Sequence, residues 1–160
     1  MRSLIAVGLS LITFAIAPTL VQAQTVDELI RHALSAEAAG NDEHAETIWR
    51  EILYREPENA HAYNGLGSAL TNQARFEEAE AAYREAIRFN SDLSTAHNNL
   101  GTVLRDQGRF EEAEAAYREA IRLDSDNAAY YRNLAAVLQA QGQLEEAEAV
   151  LQEVFRLESE

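Results

Sequence analysis

The chain has 160 residues, 27 of them acidic and 13 basic, a net charge of −14 and no Cys. Without Cys, disulfide staples and Cys-based metal or redox chemistry are excluded. The acid excess disfavours nucleic acid and anionic lipid surfaces as partners, and every basic residue is Arg, with no Lys anywhere.

The N-terminus reads Met1-Arg2-Ser3, then an apolar run over residues 4–17, then small residues at Val21 and Ala23 before Gln24. A basic start, a short apolar stretch and a small-residue exit are the three parts of a secretory signal. As a helix the run spans ~21 Å, short of the ~30 Å hydrocarbon core of a bilayer. Residues 1–23 are therefore expected to be removed, leaving no stable membrane span. Retention as an anchor is the alternative. Export follows, with a bacterial periplasm as the first-choice setting and extracellular or lumenal ones as alternatives. Residues 24–160 read as one domain.

That domain repeats itself. The phrase RFEEAEAAYREAIR occupies residues 75–88 and recurs unchanged at 109–122. A shift of 34 aligns Leu66-Gly67 with Leu100-Gly101 and Leu134-Ala135, Leu70 with Leu104 and Leu138, and Tyr83 with Tyr117 and Leu151. One step back, Ala33, Gly40, Ala45, Trp49 and Pro57 hold the matching places more loosely. Four units result, at about 26–59 (divergent), 60–93, 94–127 and 128–160.

Each unit reads as two helices. Thr25-x-x-Glu28 is a capping box at the start of the first. In the third unit His97, Leu100, Gly101 and Leu104 form one apolar stripe, and Phe110, Ala113, Tyr117, Ala120 and Ile121 a second. Gly108-Arg109 separates the two. Glu111 and Glu112 open the second helix and Arg122 closes it, matching the helix dipole. Glu114 and Arg118 form an i, i+4 pair, and Asp126 or Asn127 caps the helix that follows. Gly67, Gly101, Ala79 and Ala113 are small so that helix backbones can approach, because Gly inside a helix otherwise costs ~1 kcal/mol.

These residues resemble the tetratricopeptide repeat family over essentially the whole of 24–160. The signature is carried by Tyr63, Leu66, Gly67, Ala79, Tyr83 and Ala86 in the second unit, and by Leu100, Gly101, Ala113, Tyr117 and Ala120 in the third. The resemblance implies an all-α, right-handed α-solenoid of four helix-turn-helix repeats, used for protein–protein interaction. Leu70 and Leu104 depart from the usual Tyr. Ser91, Ser125 and Ser159 replace the usual Pro, which Pro57 alone keeps, and this predicts less rigid inter-repeat turns. His32 and Asp42 are atypical in the first unit.

No phosphate loop, nucleophile elbow or H-E-x-x-H motif is present. His32, His44, His61 and His97 share no ligand spacing, and the Glu-rich stretches read as solvated helix faces. No enzyme activity, cofactor or metal is expected. The resemblance makes the first helix of each repeat the lining of a concave groove for a peptide or partner protein. The candidate contacts are Asn64, Ser68, Asn72, Asn98, Asn99, Thr102, Arg105, Arg132, Asn133 and Gln139; Asn99 and Asn133 have bonding between helices as their alternative use. Asn offers a peptide backbone both donor and acceptor, and Arg forks onto carboxylates. The carboxylate clamp of heat-shock cochaperones in this family relies largely on Lys, so it is not carried over. Arg31, Arg105 and Arg132 balance Asp27, Glu37 and Asp106, which favours a neutral or mixed peptide. In the fourth unit Leu151, Phe155 and Leu157 hold places that inner repeats cover with a following helix, as Ile87 and Phe89, then Ile121 and Leu123, are expected to be. They are expected to be exposed together, as a surface for a homo-oligomer or a partner helix. Self-assembly and a non-catalytic role beside an envelope enzyme are the alternative functions.

Overall fold

The computed structural model describes residues 24–159; the expected signal segment, residues 1–23, lies outside them. Eight helices make up the described residues: α1 Val26–Ala38, α2 Asp42–Arg55, α3 Ala60–Asn72, α4 Phe76–Phe89, α5 Ser94–Asp106, α6 Phe110–Leu123, α7 Ala128–Ala140 and α8 Leu144–Glu158. They form the four expected pairs of an all-α solenoid. Each helix packs on the next in the chain. In addition α3 touches α5 and α5 touches α7, whereas α4 and α6, and α6 and α8, make no comparable approach. An array whose odd helices meet and whose even helices splay curves toward the odd ones, which therefore line the inner face.

The apolar stripes interlock along the whole array. Tyr83 and Tyr117 are almost fully buried, as are Leu70, Leu104 and Leu138. The aromatic rings lie on glycines: a Cβ at Gly67 would sit 2.5 Å from the Tyr83 ring, and one at Gly101 2.8 Å from the Tyr117 ring. Burial pushes the Tyr83 hydroxyl up to about 12. Thr71 Oγ1 donates to the Gly67 carbonyl at 2.8 Å and so receives the Tyr83 hydroxyl at 3.3 Å. Thr102 makes the same two bonds, to the Asn98 carbonyl and with Tyr117. A buried hydroxyl thus keeps a partner without a water.

The turn inside every repeat has one geometry. Gly40, Ala74, Gly108 and Gly142, spaced by 34, all adopt positive φ. The amide that follows each reaches back five residues, as in Arg75 N to Leu70 O at 3.0 Å and Arg109 N to Leu104 O at 2.8 Å. This is the Schellman closure, whose left-handed position favours Gly. Ala74 breaks the pattern with φ 57°, a conformation that costs a Cβ-bearing residue ~1–2 kcal/mol. Nothing crowds a Cβ at Gly108 or Gly142, so the cost at this place is one of backbone alone. Ala74→Gly is expected to raise the unfolding free energy by about 0.5–1 kcal/mol, after the extra freedom of Gly in the unfolded chain is subtracted. Urea denaturation of the two chains measures it, and an unchanged or lower midpoint contradicts it.

The duplicated phrase has a second use besides its apolar stripe. Arg75 grips Glu78 of its own helix through Nε and Nη2, both at 2.7 Å, and reaches Glu46 of the preceding repeat at 2.6 Å through Nη1. Arg109 repeats the clamp on Glu112 at 2.7 Å and on Glu80 at 2.7 Å. Burial alone would push the Glu80 carboxyl up; the hydrogen bonds from Arg84 and Arg109 outweigh it and hold it below the usual range. The Glu-rich stretches are therefore only partly the solvated faces expected, because Glu46, Glu80 and Glu114 are largely covered and paired. The expected Glu114–Arg118 pair forms at 3.0 Å, as does the Thr25–Glu28 capping box, and Asn127 caps α7.

Two expectations about the turns between repeats change. Where Pro is missing, a side chain pins the turn instead: His97 Nε2 bonds the Ser91 carbonyl at 2.9 Å, and the Tyr131 hydroxyl donates to the Ser125 carbonyl at 3.1 Å. Phe89, expected to pack on the following helix, stacks on Tyr63 of its own repeat with ring centroids 5.6 Å apart, and the Arg88 guanidinium lies 3.8 Å above its ring. Ile87 and Ile121 do pack against the core.

Candidate functional site: the inner face of the odd helices

Shifting each odd helix onto the next places three rows of side chains along the inner face. Ile30, Asn64, Asn98 and Arg132 hold one row, and Leu34, Ser68, Thr102 and Ala136 the next turn. Glu37, Thr71, Arg105 and Gln139 hold the third. The central part is a line of amides. Asn133 Nδ2 donates to Asn98 Oδ1 at 2.8 Å, Asn98 Nδ2 to Asn99 Oδ1 at 3.2 Å, and Asn99 Nδ2 to Asn64 Oδ1 at 3.2 Å. The four side chains bridge α7, α5 and α3. The inter-helix bonding weighed for Asn99 and Asn133 is thus real. It leaves capacity over, since a primary amide has two donors and two acceptor positions and all four are only half-buried.

The other candidates are placed as follows. Ser68 shares a cavity with Asn64 and Asn99. Asn72 is occupied at the edge, donating to Asp42 Oδ1 at 2.7 Å. Thr102 is tied to Tyr117 as described, and Gln139 is exposed on α7. Arg105 pairs with its neighbour Asp106 at 2.8 Å, and Arg132 pairs with Glu158 near the end of α8. Arg105 and Arg132 are therefore engaged within the chain, whereas Arg31 is exposed on α1. Glu37, at the α1 end, takes part in no ion pair among the described residues.

That end holds residues the sequence reading missed as a site. Ile30, Leu34, Glu37, Trp49, His61, Asn64, Gly65, Ser68 and Asn99 surround a cavity of about 380 Å³. Trp49 comes from α2 and reaches the inner face because Gly65 gives it room; a Cβ at Gly65 would lie 2.3 Å from the indole. Its Nε1 donates to Glu37 Oε1 at 2.7 Å. Burial pushes the Glu37 carboxyl up, the bond from Trp49 opposes this, and the charge of Asp42 adds to the rise. The available signal was the same shift by 34, which sets Ile30 and Leu34 at the places of Asn64 and Ser68.

Two clefts open between even helices on the opposite side, of about 580 and 440 Å³. They are equivalent, one repeat apart, with Leu100 or Leu134 among the lining residues and Arg and Glu on facing walls. Arg84 and Glu112 approach to 3.8 Å across the first, and Arg118 and Glu146 to 2.7 Å across the second.

At α8 the expected common exposure of Leu151, Phe155 and Leu157 is only partly found. Phe155 is 73 % exposed, but Leu151 and Leu157 are half-buried, because α8 leans on α7 and Val154 takes the inward position. Leu144, 65 % exposed, belongs to the same end of the array. Among the described residues no group of His, Asp and Glu side chains converges as a metal site, and no helix is long and apolar enough to cross a membrane.

Paired helices, a curved inner row and repeat-spaced clamps define a helical-repeat array. Its units are tetratricopeptide repeats: residues 30–94 and 128–160 match sequence profiles described as tetratricopeptide repeat, and residues 101–142 one described as TPR repeat. Among solved structures, a crystal structure of MamA superposes with a TM-score of 0.78 at 22% identity, covering 84% of this chain and 79% of that one. MamA from Desulfovibrio magneticus RS-1 gives 0.76 at 18% identity, covering 84% and 76%. PilF of Pseudomonas aeruginosa gives 0.77 at 27% identity, with 82% of this chain aligned to 60% of that one. No curated protein sequence matches the chain significantly.

Proposed function

We propose that this chain is an exported, non-catalytic scaffold that binds a peptide or partner protein along the inner face of α1, α3, α5 and α7. The observation that carries the reading is the amide line Asn64–Asn99–Asn98–Asn133. It crosses three helices, is fixed in place by its own bonds, and retains donors and acceptors for an extended backbone. Tetratricopeptide repeats as a class serve protein interaction, and the fold likeness to MamA and PilF is consistent with that use. Export rests on residues 1–23, with a bacterial periplasm as the proposed location.

The test is a paired capture from the native envelope fraction. The wild-type chain, found there beginning at Gln24 by mass spectrometry, retains a partner. The Asn98→Ala, Asn99→Ala, Arg105→Ala, Arg132→Ala variant loses it by about tenfold or more. Because these amides bond one another, and Arg132 holds Glu158, the variant is also expected to lose about 1–3 kcal/mol of stability. Capture is therefore compared at a temperature where circular dichroism shows both chains folded. Equal retention by both moves the interface off the groove, and an intact Met1 in a membrane fraction replaces export by anchoring.

A second reading, self-association through α8, is favoured by the exposure of Phe155 and Leu144. Opposing it are Glu145, Glu146 and Glu148 on the same helix.

A further inference from the structure

The cavity at the α1 end differs in chemistry from the rest of the groove. Leu34 is 52 % exposed at its mouth, and Ile30 and the Trp49 ring wall it. Its size, about 380 Å³, falls in the ~300–1,000 Å³ range of ligand sites. Inner repeats have no counterpart: where α5 and α7 carry Asn99 and Asn133, α3 has Gly65, and the indole fills that space. The cavity also has an uncompensated charge. Arg105 and Arg132 are each matched by a carboxylate, whereas Glu37 has only the neutral Trp49 N–H on one oxygen. Asp42, close behind it, has only the amide of Asn72 on its carboxylate. Among the described residues neither takes part in an ion pair.

We propose that this cavity selects the partner: it takes a bulky apolar side chain of the bound peptide against Leu34 and Trp49, while an adjacent Arg or Lys of that peptide meets Glu37. The proposal rests on the groove-binding reading and narrows it to one motif, an apolar residue next to a basic one. Charge complementarity supplies the argument. Glu37 is half-buried, with the indole N–H on one oxygen and no cation paired to it among the described residues, so an incoming cation supplies what the cavity lacks. An acidic neighbour would meet repulsion at the same point, so the site discriminates by exclusion as well as attraction.

Trp49 is the only Trp of the chain, so its fluorescence reports the cavity alone. The purified protein is titrated with three end-blocked probe peptides, identical except for a central Leu-Arg, Leu-Glu or Ala-Arg pair in a Gly-Ser context. The Leu-Arg peptide is expected to shift Trp49 emission with an apparent Kd at least about tenfold below that of either other peptide. Glu37→Gln, which keeps an acceptor for the indole, is expected to erase the preference for Arg. Leu34→Ala, at an exposed position, is expected to erase the preference for Leu. Equal responses to the three peptides, a preference for Leu-Glu, or no response at millimolar peptide overturns the proposal. If partner capture still depends on Asn98, Asn99, Arg105 and Arg132 in that event, the groove reading survives and only the cavity assignment fails.

Discussion

Replacing Trp49 by Ala is expected to lower the unfolding free energy by about 3–5 kcal/mol, the range for deleting a large aromatic from a core. Trp49 is only 3 % exposed, so nearly all of its packing is lost. Three consequences add together. The ring leaves a void against Gly65, which has no side chain to relax into it. Glu37 loses its only hydrogen-bond donor within reach while remaining half-buried. The first repeat also loses its largest core residue, and its helix pair has few others, chiefly Leu29, Ile48 and Ile52. Since domains are stable by only ~5–15 kcal/mol, the substitution removes a large share of the total. Trp49→Phe retains the packing and forfeits the indole bond, for an expected loss of about 1–2 kcal/mol. Urea denaturation followed by circular dichroism compares the three chains; a Trp49→Ala midpoint near that of the wild type would show that the first repeat does not depend on this ring.

The second large effect has a sign opposite to helix propensity. Gly→Ala inside a helix ordinarily stabilises by ~1 kcal/mol, yet Gly67→Ala is expected to destabilise by about 1–3 kcal/mol. The new methyl would lie 2.5 Å from Tyr83 Cε1, and Tyr83 cannot swing aside because its ring is enclosed and its hydroxyl is bonded to Thr71. Gly101→Ala should behave alike but more mildly, with 2.8 Å to Tyr117. The fourth repeat shows the compensating arrangement, Ala135 together with Leu151 in the places of Gly67 and Tyr83. The double change Gly67→Ala, Tyr83→Leu is therefore expected to recover part of the loss, as a double-mutant cycle would read out. A Gly67→Ala chain more stable than the wild type would refute the close-packing account of these glycines.

The architecture was legible because it is periodic. One repeat of 34 residues fixes which positions are apolar, and the duplicated phrase at 75–88 and 109–122 leaves no choice of register. Contacts that fall off the period were hidden. The amide bonds join residues 35 apart, Asn64 with Asn99 and Asn98 with Asn133. The arginine clamps join residues 29 apart. Neither spacing follows from aligning like with like, so groove membership could be assigned to these asparagines while their mutual bonding was only one option. The cavity was missed for a different reason. It depends on a departure from the repeat, Gly65 where Asn99 and Asn133 stand, which makes room for the indole of Trp49 at the place of Tyr83 and Tyr117, and a reading based on likeness passes over a single departure. The spread of Leu151 and Leu157 into half-buried positions depends on how α8 leans, which no pattern of residue types encodes.

The clamps are not evenly distributed along the array. Arg75 ties the first repeat to the second and Arg109 the second to the third, but Gln143 stands at the corresponding place in the fourth. Its amide bonds Gln141 of its own turn at 3.2 Å, and the pair that spans this last junction, Arg118 with Glu146, is far more open to solvent. In a linear array total stability is a sum of unit terms and nearest-neighbour terms, and exposed ion pairs contribute little to the latter. The fourth repeat is thus held to the third without an arginine clamp, through the Asn133–Asn98 bond, the contact of Ser94 with Tyr130 and the open Arg118–Glu146 pair. What joins this repeat to the array is therefore apolar packing and amide bonding, which salt does not screen, whereas the first two junctions add a charge-assisted bond to both.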